Sequence, residues 1–125
     1  MKQSLKMNPQ LQLVKEFHEK FNVPIATTPQ CIAKNRYEFR YKFIKEEVEE
    51  YIKGNEQQDL ENIAKELCDI ISVVYGAVLE HGLQDKFDLI FEEIHKSNMS
   101  KEKGEFKLIK GDNFKEANIS KILKE

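Results

Sequence analysis

The sequence has few cysteines and no long apolar segment, and these absences exclude whole classes of protein. Cys31 and Cys68 are too few for a disulfide framework. Cys68 falls inside a helical pattern, where a small buried thiol is expected. No stretch approaches the ~20 apolar residues that a membrane helix needs, and residues 1–12 lack the apolar run of a signal peptide. We therefore expect a protein of the reducing cytoplasm with no membrane partner.

A strong excess of one charge is also missing, since 20 basic and 22 acidic residues give a formal net charge of −2. This balance leaves no overall basic footprint for nucleic acid. The charges are unevenly distributed, because acids concentrate between Glu46 and Glu93 while lysines dominate residues 96–125. A chain of 125 residues predicts a single domain over 1–125, with a helical core at about 9–98 and a tail at about 99–125.

Apolar periodicity predicts an all-α fold, a four-helix-type bundle of antiparallel helices followed by an irregular, lysine-rich C-terminal tail. The first helix is predicted at about 9–21, with Asn8 as N-cap and Pro9 at the first helical position. The second is predicted at about 31–53, ending at Gly54, and Asn55 is predicted to cap a third that runs to about His81. Such a short linker forces two antiparallel neighbours. A fourth helix is predicted at about 85–97.

Acidic side chains fall on the apolar sides of the second and third helices. On a helical wheel Glu47 and Glu50 lie among Phe39 and Phe43, and Glu66 and Asp69 lie on the apolar face of the third helix or at its rim. An ionised carboxylate in such a place costs on the order of several kcal/mol unless it is paired or binds a metal. Oxygen ligands without histidine or thiolate suit Mg²⁺, with Mn²⁺ as a substitute. The alternative is a solvated acidic face with lysine partners.

This constellation suits the cleavage of a phosphoanhydride. Glu46 adjoins the predicted ligands and is the carboxylate left over to accept a proton from the attacking water. Developing negative charge also requires donors. Asn98 and the lysines of the C-terminal third are the candidates for phosphate contacts; these lysines are Lys96, Lys101, Lys103, Lys107 and Lys110.

The acids and their spacing resemble a known signature. Glu46-Glu47-x-x-Glu50 followed by Glu66-x-x-Asp69 is similar to the EExxE…ExxD pattern of the all-α nucleotide pyrophosphohydrolases, which include MazG, the dimeric dUTPases and phosphoribosyl-ATP pyrophosphohydrolase. Further likeness lies in the segments at residues 14–18, 69–76, 94–101 and 110–114. The resemblance spans roughly residues 12–115.

The resemblance implies hydrolysis of a nucleoside triphosphate between the α and β phosphates, in nucleotide-pool house-cleaning. It implies metal binding by Glu47, Glu50, Glu66 and Asp69, and water activation or a further metal contact by Glu46. Asn98 and Lys101 would contact phosphates, with Lys110 in a later lysine-bearing turn. It also implies a homodimer or homotetramer.

The sequence departs from these relatives in several places. It has no tryptophan, carries one copy of the signature where full-length MazG has two, and lacks the proline after the later lysine turn. The likeness at residues 69–76 and 98–101 favours a dUTP-like or noncanonical deoxynucleotide as substrate. Phosphoribosyl-ATP is disfavoured, because the flanking pattern of that group is not evident. Arg40, like Arg36, has two candidate roles: a contact with base or phosphate, or a salt bridge to Glu47 or to the opening helix.

Two other functions are alternatives. A di-iron carboxylate bundle would need two Glu-x-x-His motifs, and the sequence has only Glu92-x-x-His95. A non-enzymatic metal- or partner-binding helical bundle is the other, and the presence of all five signature acids speaks against it.

Overall fold

A computed structural model describes residues 7–125. Residues 1–6, which belong to the predicted domain and to the segment searched for a signal peptide, lie outside the described residues. The described chain is mainly helical, as predicted. Its elements are α1 (Pro9–Lys20), α2 (Lys34–Glu56), α3 (Leu60–Glu80), α4 (Phe87–Met99), β1 (Glu102–Lys103), β2 (Leu108–Ile109) and α5 (Ile119–Lys124). None of the described helices is long and apolar enough to cross a membrane.

The described residues form two compact units, one of Asn8–Gln84 and one of Asp85–Glu125 together with Met7. In the first unit α3 packs against both α1 and α2. In the second, α4 packs against α5, and β1 pairs with β2 in an antiparallel ladder in which Glu102 faces Ile109. The helix α4 thus belongs to the same unit as the tail, whereas the sequence groups it with the helical core.

The start of α1 confirms the predicted cap. The Asn8 side chain accepts a hydrogen bond of 2.8 Å from the backbone N–H of Leu11, and Pro9 occupies the first helical position. Leu11 is fully buried and His18 nearly so, which directs one face of α1 towards α3. The helix ends at Lys20, followed by Asn22 in the left-handed region (φ 55°).

The connection between α2 and α3 differs from the prediction. Gly54 does not end α2, which continues to Glu56, and the cap of α3 is Asp59 rather than Asn55. Asp59 accepts from the backbone N–H of Asn62, and Gln58 takes the positive φ (53°) of the turn. Gly54 is buried against α3, and a side-chain carbon added there would lie 3.2 Å from Asn62 and 3.3 Å from Ile63. The glycine therefore serves close helix packing, a role that a sequence pattern does not separate from helix termination.

Polar groups are prominent among the buried residues of the first unit. Its buried apolar side chains are Leu11, Val78 and Leu79, whereas its buried polar side chains are His18, Arg40, Glu66, Glu80 and Gln84. Large apolar side chains stay exposed on all three helices; Leu13, Tyr41 and Ile71 are each at least half exposed. The helices of this unit therefore present apolar faces that the unit itself leaves uncovered.

The second unit is organised by a few side-chain caps. Lys86 Nζ donates to the carbonyls of Ile122 and Leu123 at the end of α5, at 3.0 and 3.2 Å. The Glu93 carboxylate accepts from the backbone N–H of Asn118 at 2.8 Å. Within the C-terminal tail, which the sequence predicts as irregular, the structure has the short strand β2 and the short helix α5. The fourth helix begins at Phe87 and ends at Met99, each two residues later than predicted.

Candidate active site

Three carboxylates meet where α2 packs against α3. Glu47 comes from the middle of α2, and Glu66 and Asp69 lie three residues apart on α3, so that they share one face. One ligand atom of each lies within 4.8 Å of those of the other two. A search of the described residues for three or more acidic, histidine or cysteine side chains close enough to hold an ion finds this group. We call Glu47, Glu66 and Asp69 the carboxylate cluster.

Glu66 is the most informative member of the carboxylate cluster. It is only 5 % exposed, as its predicted place on the apolar face of α3 requires. Its Oε1 lies 3.6 Å from Lys65 Nζ, but its Oε2 is buried without a hydrogen-bond partner among the described residues. A buried carboxylate oxygen without a partner is costly. The oxygen donor set therefore fits a hard divalent cation, which would satisfy this atom.

The protonation of Glu47 reflects the same crowding. Desolvation by burial, together with hydrogen bonding to Glu66 and the nearby charges of Asp69 and Glu66, raises the pKa of Glu47 to about 7. A hydrogen bond between two carboxyl groups requires a proton on one of them. The raised pKa means that Glu47 keeps a proton more readily than an isolated glutamate does, and a bound cation would compete with that proton.

Lys65 partly neutralises the cluster from its outer edge. Its Nζ lies 2.7 Å from Asp69 Oδ2 and 3.6 Å from Glu66, while its side chain is 67 % exposed. The hydrogen bond to Asp69 is the main reason that the pKa of Lys65 is raised. An exposed lysine of this kind is easily displaced, because solvent screens its attraction to the carboxylates.

The other acids of the signature lie outside the carboxylate cluster. Glu46 is exposed on α2, next to Glu47 in sequence. Glu50 has a side chain that is 48 % exposed and lies 3.5 Å from Lys53. Its assignment as a metal ligand stays a prediction, as does that of Glu46 as the catalytic base.

The predicted phosphate contacts belong to the second unit. Asn98 is exposed in the last turn of α4, and Lys101 follows two residues after that helix. Lys110 lies 3.9 Å from Glu116 and places its Nζ 5.0 Å from the centre of the Phe114 ring. Their roles stay predictions.

Cys68 does not take the buried position expected for it. Both cysteines are free and exposed. Cys68 is two residues from buried Glu66, which places it about 200° around the helix, on the opposite side of α3. It is therefore not part of the core.

A second group of buried charges lies on the same two helices. Glu80, at the end of α3, accepts from Arg36 Nε at 3.0 Å and Nη2 at 2.7 Å, and it also accepts from Arg40 Nε. Burial alone would raise the pKa of Glu80, but the hydrogen bonds from the two arginines outweigh it and lower that pKa. We call Arg36, Arg40 and Glu80 the arginine cluster. The salt bridge considered for Arg40 therefore exists, but its partner is Glu80 rather than Glu47 or the opening helix.

An apolar cleft connects the two clusters. It has a volume of about 670 Å³ and is formed by α1, α2 and α3. Glu47 and Asp69 line it, and so do Arg40 and His18. Its apolar wall carries two aromatic pairs, Phe17–Phe21 with ring centres 4.8 Å apart and Phe39–Phe43 with ring centres 4.5 Å apart. An apolar cleft with a few convergent polar groups is typical of small-molecule sites.

Sequence reasoning does not find Glu80 or Gly76. Both lie in an apolar run of α3, where a glutamate reads as the end of the helix and a glycine as a tolerated defect. The available signal is Glu80 itself, a carboxylate near the end of an apolar stretch, combined with two arginines spaced four residues apart on the previous helix. Such a set predicts a buried ion pair, but only the fold shows which partners meet.

Comparison with known protein families shows to which family the chain belongs. The sequence model of phosphoribosyl-ATP pyrophosphohydrolase matches residues 14–98, more than half of the chain, and this range includes all three residues of the carboxylate cluster. The chain belongs to the phosphoribosyl-ATP pyrophosphohydrolase family. This family is part of the MazG-like all-α superfamily, so the resemblance stated from the sequence is confirmed. Membership implies a pyrophosphohydrolase of a nucleotide-like substrate.

The matching family is the phosphoribosyl-ATP group, although the flanking pattern typical of that group is not evident in the sequence. Phosphoribosyl-ATP is therefore kept as a candidate substrate. No curated protein matches the chain.

Proposed function

We propose that this member of the phosphoribosyl-ATP pyrophosphohydrolase family hydrolyses a nucleoside triphosphate, with Mg²⁺, between its α and β phosphates. The products are a nucleoside monophosphate and pyrophosphate. The observation that carries the proposal is the buried, partnerless Glu66 Oε2 within the carboxylate cluster, at the edge of a cleft large enough for a nucleoside. We further propose a cytoplasmic location and a role in nucleotide-pool house-cleaning.

Glu47, Glu66 and Asp69 would hold the cation, with Glu50 completing the set from one turn further along α2. When bound, Mg²⁺ supplies positive charge that neutralises the pyrophosphate and lowers the pKa of a water molecule. Glu46, exposed beside Glu47, is the group that would accept the proton of the attacking water. Asn98, Lys101 and Lys110 would donate to phosphate oxygens.

Phosphoribosyl-ATP is a second candidate substrate, and the family match favours it. It contains the same α–β phosphoanhydride, so the carboxylate cluster would serve both reactions in the same way. The two candidates therefore differ in what binds in the cleft, not in the chemistry at the acids.

The exposed apolar faces of α1, α2 and α3 support the proposed homodimer or homotetramer. Val48 and Ile52 on α2 and Leu67 on α3 are each more than two-fifths exposed although they lie on long helices of a compact unit. Burial of such surface in an assembly gains about 25 cal/mol per Å². Sedimentation equilibrium would report the mass, and a monomer at micromolar concentration would contradict this part of the proposal.

The test of the activity is a substrate panel that includes deoxynucleotides, ribonucleotides and phosphoribosyl-ATP, each with Mg²⁺ and with EDTA. We expect pyrophosphate and the monophosphate as products, and no turnover in EDTA. Release of orthophosphate and a diphosphate would contradict cleavage at the α–β bond. Absence of any product from a folded protein would favour a non-enzymatic binding module. The di-iron alternative gains no support, since Glu92 and His95 are both exposed on α4 and are not part of an ion-binding group among the described residues.

A further inference from the structure

Two buried polar side chains line the apolar cleft and lie close to each other. Arg40 from α2 and His18 from α1 are both buried, and both line the cleft. They converge on α3 at Gly76, where a side-chain carbon would clash with Arg40 Nη1 and would lie 3.2 Å from His18 Nε2. The missing side chain at Gly76 thus makes the space in which these two nitrogen atoms come together.

Arg40 presents only donors to this space. Its Nε donates to Glu80, and the hydrogen bonds of the described residues use just this one of its five N–H groups. The Nη1 and Nη2 groups therefore remain to donate. The guanidinium is held in place by Glu80 and by the rings of Phe39 and Phe43, which lie 5.7 and 6.0 Å from its central carbon.

His18 presents an acceptor. Its Nδ1 lies 3.1 Å from the carbonyl oxygen of Pro24, and because a carbonyl only accepts, Nδ1 carries the proton. Desolvation by burial, reinforced by the charges of Arg40 and Arg36, lowers the pKa of His18, so the ring is neutral at pH 7. In that tautomer Nε2 has a free lone pair. The lining of the cleft therefore contains a donor, Arg40, close to an acceptor, His18.

The remaining walls favour a flat ring. Phe17, Phe21, Phe39 and Phe43 line the cleft, and stacking on such rings is worth ~1–3 kcal/mol per nucleobase without regard to its identity. The hydroxyl group of Ser72 also lines the cleft, but a hydroxyl donates or accepts equally well and does not discriminate. Glu47 and Asp69 also line the cleft, but the proposed function assigns both to the cation. Arg40 and His18 are then the lining groups that can distinguish one base from another.

We infer that this cleft binds the base of the substrate and selects bases that present a carbonyl beside a ring N–H, the edge of uracil, thymine, guanine and hypoxanthine. Arg40 donates to the carbonyl oxygen, and His18 Nε2 accepts from the ring N–H. Cytosine and adenine carry the reverse pattern, an amino donor beside a ring acceptor, and would leave both protein groups unpaired. This inference rests on the proposed function and narrows its substrate class.

The expected discrimination is large because the groups are buried. A site that is built to hydrogen-bond a substrate rejects an analogue that leaves its buried polar groups unpaired far better than an apolar pocket rejects a size change. We expect kcat/KM to be at least about tenfold higher for dUTP than for dCTP, and for dITP than for dATP, which corresponds to ~1.4 kcal/mol or more. A methyl group on N3 of dUTP, which removes the ring N–H, should lower kcat/KM by at least about tenfold.

Monophosphate binding tests the inference independently of turnover. Calorimetric titration with dUMP and dCMP should show tighter binding of dUMP. Equal affinities, or equal kcat/KM within each pair, would overturn the inference while leaving the pyrophosphohydrolase proposal intact. A preference for phosphoribosyl-ATP, whose base is an adenine, would do the same. Tighter binding of dUMP without turnover of any triphosphate would support the inference and contradict the proposed function.

Two arginines of the same cluster give a matched pair of variants. Arg40→Met removes the donors that line the cleft. Arg36→Met also removes one arginine from Glu80, but Arg36 does not line the cleft; it lines a second cavity of about 500 Å³. We expect Arg40→Met to reduce the dUTP/dCTP ratio of kcat/KM towards one and Arg36→Met to leave that ratio in place. An equal loss of the ratio in both variants would indicate a structural effect and overturn the reading of Arg40. If Arg40→Met does not fold, His18→Phe, which removes the acceptor, is expected to reduce the same ratio, and an unchanged ratio there would overturn the inference.

Discussion

The carboxylate cluster and the arginine cluster lie on the same pair of helices, yet they handle buried charge in opposite ways. In the arginine cluster one glutamate lies between two arginines, and hydrogen bonds from both occupy its oxygens. In the carboxylate cluster three groups of the same sign face one another, and an oxygen of Glu66 has no partner among the described residues. The first cluster is completed by protein groups and the second is not.

This contrast teaches how to separate structural from functional charge. A buried pair whose members satisfy each other holds elements together, whereas buried charges of one sign persist only because something else compensates them. For the carboxylate cluster that compensation is a proton, partly Lys65, or a cation. The comparison therefore assigns fold stability to Glu80 and ligand binding to Glu66, and the following experiments test that division.

The largest effect is expected from Glu66→Gln. Loss of a carboxylate ligand should lower kcat by about 10³-fold or more, because metal assistance stabilises the transition state by roughly several kcal/mol. The same change should leave the metal-free protein at least as stable as before, since it removes one of three like charges. Pyrophosphate release and urea unfolding in EDTA measure the two results.

Glu49→Gln is the matched control, because Glu49 is an exposed glutamate on α2. We expect it to leave both kcat and the unfolding free energy unchanged. A fall in kcat as large as that of Glu66→Gln would mean that net charge rather than ligand geometry is responsible.

The next largest effect is expected from Glu80→Gln, which should lower the free energy of unfolding. It leaves buried Arg40 without its carboxylate, and breaking a buried pair in this way costs ~3–5 kcal/mol. The urea midpoint should fall accordingly. If the unfolding free energy falls by less than about 1 kcal/mol, the Arg40–Glu80 pair is as weak as an exposed surface pair. The arginine cluster would then not differ from the carboxylate cluster in its contribution to stability.

The two clusters also predict opposite pH dependence of stability. The pKa of Glu47 is raised from 4.5 to about 7, so its contribution to the stability of the metal-free protein is present below pH 4.5 and is lost as the pH rises through 7. The pKa of Glu80 is lowered, so its contribution is present above pH 4.5 and is lost as the pH falls through that lowered value. Each single group can change the unfolding free energy by at most ~1.4 kcal/mol per pH unit.

Urea unfolding in EDTA between pH 4.5 and 8 measures the Glu47 contribution. We expect stability to decline across this window in the parent protein, the decline to disappear in Glu47→Gln, and Mg²⁺ to restore stability most strongly above pH 7, where no proton competes. An identical slope in Glu47→Gln would remove Glu47 as its origin.

The smallest effect is expected at an exposed pair. Lys53 lies 3.5 Å from Glu50, and both side chains are about half exposed or more. Lys53→Ala should change the unfolding free energy by less than ~0.5 kcal/mol, because solvent screens such pairs. A larger change would indicate that this end of α2 is buried in an assembly.

Much of the site is readable from local patterns. Helical periodicity alone places Glu66 on the apolar face of α3, and Asn8-Pro9 marks the start of α1, because both depend on neighbours within one or two turns. The end of α2 is not readable in this way. Gly54 and Asn55 form a good stop signal, but contact with Asn62 and Ile63 makes the glycine a packing residue and lets the helix continue.

The arginine cluster shows the same limit. Glu80 lies 40 residues after Arg40 and 44 residues after Arg36 in the sequence. No local pattern indicates that Arg40 pairs with Glu80 rather than with Glu47. Glu50 shares the wheel position of a buried ligand, but its side chain is 48 % exposed and lies beside Lys53, and a helical wheel does not show which positions of one face the neighbouring helix covers.

The sequence by itself determined the helical class, the acids that meet between α2 and α3, and the family to which the chain belongs, since each rests on residue types at fixed spacings along a helix. Only the tertiary structure decided that Glu66 keeps a partnerless oxygen, that Glu80 joins two arginines, and that Arg40 and His18 converge at Gly76. The physical reason is that such contacts depend on the relative positions of three helices, and these positions follow from packing rather than from any local pattern.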